Sequence, residues 1–88
     1  MRLEDAQKLI LRPFVTERTF DQIARENKIC FMVDDKASKP QIASAVEALY
    51  DVKVRDVNTL RGVTGKKAFV RLAQDENATE LATKLGLV

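Results

Sequence analysis

Val52 to Ala73, VKVRDVNTLRGVTGKKAFVRLA, is the stretch whose pattern decides the fold. Lys66 to Ala73 alternates cleanly: Ala68, Val70 and Leu72 share one face, Phe69 and Arg71 the other. Val52 to Val63 alternates with one slip. Val52 and Val54 point one way, yet Val57 falls on the parity of Lys53 and Arg55, and a β-bulge near Arg55-Asp56 would restore it. Thr64-Gly65 is a turn signal between the two runs, and only Gly62 to Gly65 separate them. The stretch therefore reads as a hairpin.

Upstream, Lys28 to Asp34 reads as another strand. Ile29, Phe31 and Val33 line one face, Cys30 and Met32 the other; apolar residues on both faces predict an interior strand covered on both sides. Asp34-Asp35-Lys36-Ala37 connects it to a helix announced by Ser38-Lys39-Pro40-Gln41: a serine cap, a first-turn proline and a glutamine at the capping-box position. Ile42, Ala45, Val46 and Leu49 continue its stripe, with Tyr50 beside it. Thr16 is a plausible N-cap of an earlier helix whose stripe is Phe20, Ile23 and Ala24 and which frays near Asn27. Leu3, Ala6 and Ile10 fit a short first helix or turn, stopped by Arg12-Pro13, with room for a short strand near Leu9–Leu11. Downstream, Asn77-Ala78-Thr79-Glu80 starts a last helix with the stripe Leu81, Ala82, Leu85, and Gly86 stands where a helix-ending glycine belongs. The expected fold is α+β: a small antiparallel sheet with helices packed on it, a variant of the ferredoxin-like α/β plait.

The chain has 88 residues, 45% hydrophobic and 32% charged, which fits one folded domain over residues 1–88. A domain of this size buries only roughly 60–65% of its unfolded surface, so a permanent partner would stabilise it. A single cysteine, Cys30, leaves no internal disulfide and points to a reducing compartment. No apolar run approaches the ~20 residues of a membrane span. Met1 to Lys8 carries Glu4 and Asp5 without an apolar core, so it does not read as a signal peptide. The expected location is cytoplasmic.

Chemistry is hard to find. Histidine is absent, and with it the commonest general base and metal ligand. Cys30 lies mid-strand, where an inert buried thiol is expected. Asp34-Asp35 reads as a solvated strand end, and no calcium-loop spacing follows. No glycine loop cradles phosphate. Acylphosphatases share small plaits of this kind, but Arg12, followed by Pro13, lacks their glycine-bounded loop, although Asn58 is present. The expectation is no catalytic residue, no metal and no cofactor.

Charge is more informative. Net charge is only +2, but the hairpin holds Lys53, Arg55, Arg61, Lys66, Lys67 and Arg71 against Asp56 alone, whereas residues 29–51 and 73–88 are acidic. Concentrated positive charge is the footprint of a polyanion partner. The aromatic signature of the common four-stranded RNA-recognition domain is missing, and Phe69 reads as core rather than as a base-stacking platform. Phosphate and shape recognition remain. From the residues alone, a basic hairpin without nucleic-acid affinity, on a regulatory module binding protein or a small anion, stays open.

Further segments carry a resemblance. Arg12-Pro13-Phe14-Val15-Thr16-Glu17-Arg18 resembles the opening signature of the ribosomal protein L23 family. Val33 to Ile42 resembles its strand-to-helix junction, and Ala45 to Val54 its central helix and next strand. Val57-Asn58-Thr59-Leu60 resembles its asparagine–threonine signature, and Gly65 to Leu72 its last strand. Each motif is weak alone; together, in order over residues 12–72, they are specific. The resemblance implies a monomeric, permanent subunit on large-subunit ribosomal RNA beside the exit of the nascent-peptide tunnel. It implies neighbouring ribosomal proteins as partners, and docking of chaperone, signal recognition particle and translocon without membrane insertion. The long hairpin extension of bacterial relatives is missing, as in the archaeal and eukaryotic branch.

On this reading Arg12, Arg18, Lys36, Lys39, Arg61, Lys66, Lys67 and Arg71 supply phosphate contacts. Ser38 is a cap first and an RNA contact second. Asn58 and Thr59 sit mid-strand, where asparagine is a poor strand former; a face toward RNA or an edge or bulge position would each explain it. Val15, Thr16 and Glu17 would form the exposed docking site, with Glu17 offering charge to basic partners.

Overall fold

The computed structural model describes residues 1–87. Its elements are α1 (Leu3–Leu9), β1 (Ile10–Pro13), α2 (Glu17–Glu26), β2 (Lys28–Val33), α3 (Lys39–Tyr50), β3 (Val54–Gly62), β4 (Gly65–Leu72) and α4 (Ala78–Lys84). The strands form one sheet in the order β1-β2-β4-β3, every neighbouring pair antiparallel. Strands β2 and β3 are therefore parallel, joined over α3 with β4 inserted between them: one split β-α-β unit. The strand on the far side of β2 comes from before it in the chain, so the plait likeness extends to that unit only.

The hairpin forms as its alternation predicts. Val54 lies opposite Leu72 and Asp56 opposite Arg71, which leaves Arg55 as the extra residue of a bulge. Past it Val57 pairs with Val70 on the core face. Gly62 faces Gly65 across a two-residue turn, and Gly65 has φ +121°, a backbone state open to glycine alone at low cost. The sheet edge at β1 has its own irregularity: Leu11 is skipped between Ile10 opposite Val33 and Arg12 opposite Met32.

One face of the sheet carries the core. Ile29, Phe31 and Val33 of β2 and Ala68, Val70 and Leu72 of β4 pack with Ala6, Ile23, Ile42, Ala45, Val46, Leu81 and Ala82 of the helices. Tyr50 stacks on Phe31, ring centres 5.8 Å apart. Each large side chain so buried contributes about 1.5–3 kcal/mol. The exposed ion pairs contribute about 0–1 kcal/mol each. Burial therefore holds the fold, and the surface cations are free to serve another purpose.

Caps bound the helices as the sequence suggests, with two differences. Ser38 and Gln41 form the reciprocal capping box of α3, Gln41 Oε1 accepting from the Ser38 amide at 3.0 Å. Asn77 Oδ1 accepts from Thr79 and Glu80 at the start of α4. Gly86 (φ +76°) closes it in a Schellman turn, Leu87 donating to Ala82 and Gly86 to Thr83. The first difference concerns α2. Its inward face is Thr19 and Ile23; Phe20 is 44% exposed and Ala24 is exposed. Thr19 tolerates burial because its hydroxyl is satisfied: it accepts from the Thr16 amide at 2.7 Å and lies 3.2 Å from the Phe14 carbonyl it donates to. The second concerns Asn27, which does not fray. It adopts φ 56° and its side chain bridges to the start of α4, accepting from Ala78 at 2.8 Å and donating to Ala73 and Glu76 at 3.2 and 3.1 Å.

Candidate nucleic-acid interface

The expected RNA-contacting residues fall into two groups and one outlier. The first group gathers where the hairpin turn meets the connection between β2 and α3. Arg61 reaches Asp35, with Nη1 3.2 Å from the carboxylate and Nη2 3.1 Å from the carbonyl. Lys66 donates to the Ala37 carbonyl. Lys36 and Ser38 lie on the same connection and Lys39 opens α3, all exposed. Asp35 is thus engaged by an arginine.

The second group lies on the sheet face away from the core. Arg12, Met32, Lys67 and Leu60 make one cross-strand row, Cys30, Phe69 and Asn58 the next, and Lys28, Arg71 and Asp56 the third. Arg18 stands above them on the first turn of α2, exposed. Lys67 Nζ sits 4.2 Å from the centre of the Phe14 ring, a cation–π contact that fixes the ammonium without neutralising it. Arg71 is less free: Glu26 lies 3.6 Å from its Nη2, Lys28 shares that carboxylate at 3.5 Å, and Arg71 Nε is buried without a hydrogen-bond partner. Among the described residues, Arg12, Arg18, Lys36, Lys39 and Lys67 have no carboxylate within 4.0 Å.

Thr59 is the outlier. Opposite Ala68, it points to the core face and is half-buried, whereas its neighbour Asn58 is exposed on the other side. Their adjacency in sequence divides them between faces, because strand side chains alternate. Strand β3 is a sheet edge, which accommodates an asparagine. Val15, Thr16 and Glu17 are all exposed where the chain enters α2, although the Thr16 hydroxyl already caps that helix by accepting from Thr19 at 3.2 Å.

Phe69 corrects a sequence reading. It does not join the core but lies half-buried on the opposite face, among Phe14, Thr16, Arg18, Thr19, Gln22, Leu60 and Lys67, around a hollow of about 320 Å³. Its parity with Lys67 and Arg71 was the available signal. Phe14, Gln22 and Leu60 gave none, because they reach the hollow from the β1–α2 connection, α2 and β3. Cys30 is buried as expected, and desolvation pushes its thiol up to about 11, opposed by the positive charge of Lys67.

The arrangement defines a class: a small basic α+β binding module with cations distributed around an antiparallel sheet, and its one thiol held protonated. Known proteins carry this further. The family model described as ribosomal protein L23 matches residues 8–74. The large ribosomal subunit protein uL23 of Haloarcula marismortui is 46% identical over 80 residues, 90% of this chain and 94% of that protein. That of Methanococcus aeolicus is 42% identical over 84 residues, 94% and 98%. That of Tetrahymena thermophila is 46% identical over 85 residues, 96% of this chain but 57% of the longer relative. The chain belongs to the ribosomal protein L23 family. It is a structural protein of the large ribosomal subunit, a component of the cytoplasmic ribosome, and not an enzyme.

Proposed function

We propose that this chain holds large-subunit ribosomal RNA beside the exit of the nascent-peptide tunnel, and that its α2 entry helps to dock factors meeting the emerging peptide. The observation that carries the RNA contact is that Arg12, Arg18, Lys36, Lys39 and Lys67 have, among the described residues, no carboxylate within 4.0 Å. Their charge is available to phosphates, Lys67 being held against the Phe14 ring but not neutralised by it. Arg61, Lys66 and Arg71 join them as cations oriented by local partners, with Asn58 adding hydrogen bonds; Ser38 and Thr59 contribute least, one being a cap and the other turned toward the helices. Neighbouring ribosomal proteins complete the surroundings.

For docking, support comes from the exposure of Val15, Thr16 and Glu17 in one turn, beside the 44% exposed Phe20. An apolar pair flanking a carboxylate suits a partner that presents both a basic and an apolar group, as chaperone, signal recognition particle or translocon would.

The test is sedimentation. The chain is expected to travel with large subunits and to resist a moderate salt wash. Release at low salt, or recovery as a free protein, would count against RNA anchoring. Glu17→Ala is expected to leave incorporation unchanged and to weaken factor binding to the particles; unchanged factor affinity would remove the docking role.

A further inference from the structure

The hollow between α2 and the far face of the sheet has a composition that phosphate anchoring alone does not require. Phe69 and Leu60 form an apolar surface, Leu60 being 56% exposed. Phe14 forms a second wall, with the Lys67 ammonium held against its ring. Arg18 also lines the space, and among the described residues no carboxylate does. Gln22 lines it with a side-chain amide that makes no hydrogen bond among the described residues, while Asn58 pairs with Phe69 on the same sheet face but stands outside the lining. At about 320 Å³ the hollow is in the size range of small-ligand sites.

We propose that this hollow receives a single RNA base turned out of its helix. The base lies on Phe69 and Leu60, the amide of Gln22 meets its polar edge, and Arg18 and Lys67 take the flanking phosphates. An unstacked base is flat, apolar on its faces, polar on its edge and anionic on either side. Those are the four properties the lining complements, and aromatic surfaces with free amides are how proteins hold such bases. An apolar side chain of a partner protein would use Phe69 and Leu60 but would leave two cations without counter-charge. The proposal rests on the RNA-binding reading and adds to it a site for one nucleotide.

Two measurements decide it. The first is the affinity of the full-length chain for large-subunit RNA across a salt series. Phe69→Leu keeps apolar bulk, and thermal unfolding checks that the fold survives. It is expected to weaken binding several-fold at every salt concentration without changing the slope, since stacking releases no counterions. Lys67→Gln is expected to flatten the slope. Gln22→Ala, at a half-buried position whose side chain makes no hydrogen bond among the described residues, provides a second variant with the same parallel loss, its fold checked the same way. Unaltered affinity in both Phe69→Leu and Gln22→Ala would overturn the base site while leaving phosphate anchoring in place. Absence of RNA affinity in the unaltered chain would overturn both. The second measurement is ultraviolet cross-linking of intact large subunits. A nucleotide attached to Phe14 or Phe69 supports the site, and attachment of a protein side chain there overturns it.

Discussion

At Asn27 and Cys30 single atoms have consequences for the whole chain. Asn27 ends α2 in the left-handed region and, through both ends of its amide, ties that helix to the start of α4. Asn27→Ala loses these bonds and forces an alanine into φ 56°, a combined cost of about 2–4 kcal/mol. Asn27→Gly removes the bonds alone and is expected to cost less. Urea unfolding of the pair separates the two effects, and equal losses would show that the backbone state is unimportant. Cys30 links stability to pH. Its thiol ionises near 9.0 in an unfolded chain but holds its proton to about 11 when folded. Between those values the unfolded state binds fewer protons than the native one, so stability falls as pH rises through that window. Cys30→Ala isolates the thiol. The variant is expected to lose less stability than the parent as pH rises from 9.0 to about 11; parallel curves would contradict the assignment.

The elements show why some of the fold was legible and some was not. The hairpin, its bulge at Arg55, the Ser38–Gln41 box and the Gly86 ending are all local: each is written within a few consecutive residues. The end of α2 is not legible locally, because Asn27 looks like a helix breaker until α4, some fifty residues later, arrives beside it. The α2 stripe differs from its apolar pattern because Thr19 counts as polar, while its buried hydroxyl is fully used by Thr16 and Phe14. The same division holds for the candidate interface. Clustered cations were visible as sequence, but Phe14, Gln22, Leu60 and Phe69 meet only after the chain has folded. The local devices are individually modest. Ser38→Ala is expected to cost about 1 kcal/mol. Adding Gln41→Ala should cost little more, because the two residues satisfy each other's free amides in one reciprocal unit. A double variant whose loss equals the sum of two independent caps would argue that the box is not cooperative.

For the whole molecule the deciding quantity is how much of its positive charge is already spent internally. Arg61 is held by the carboxylate and carbonyl of Asp35, whereas Lys36, next in the chain, has no carboxylate in reach among the described residues. Neutralising a phosphate with a free cation releases counterions and steepens the salt dependence by roughly 0.7–0.9 log units per decade of salt for each contact. A cation that already faces a carboxylate contributes less, because Asp35 stays nearby and repels the phosphate that would replace it. Lys36→Gln is therefore expected to flatten the salt dependence of RNA binding by close to one full contact, and Arg61→Gln by only part of one. Asp35→Asn should act in the opposite direction, tightening binding and steepening the slope, since it frees Arg61 while leaving the core untouched. Filter retention of large-subunit RNA over a salt series measures all three variants on one scale. If Asp35→Asn weakens binding instead, the contact with Asp35 orients Arg61 for the phosphate, and its fixed direction outweighs the charge it gives up.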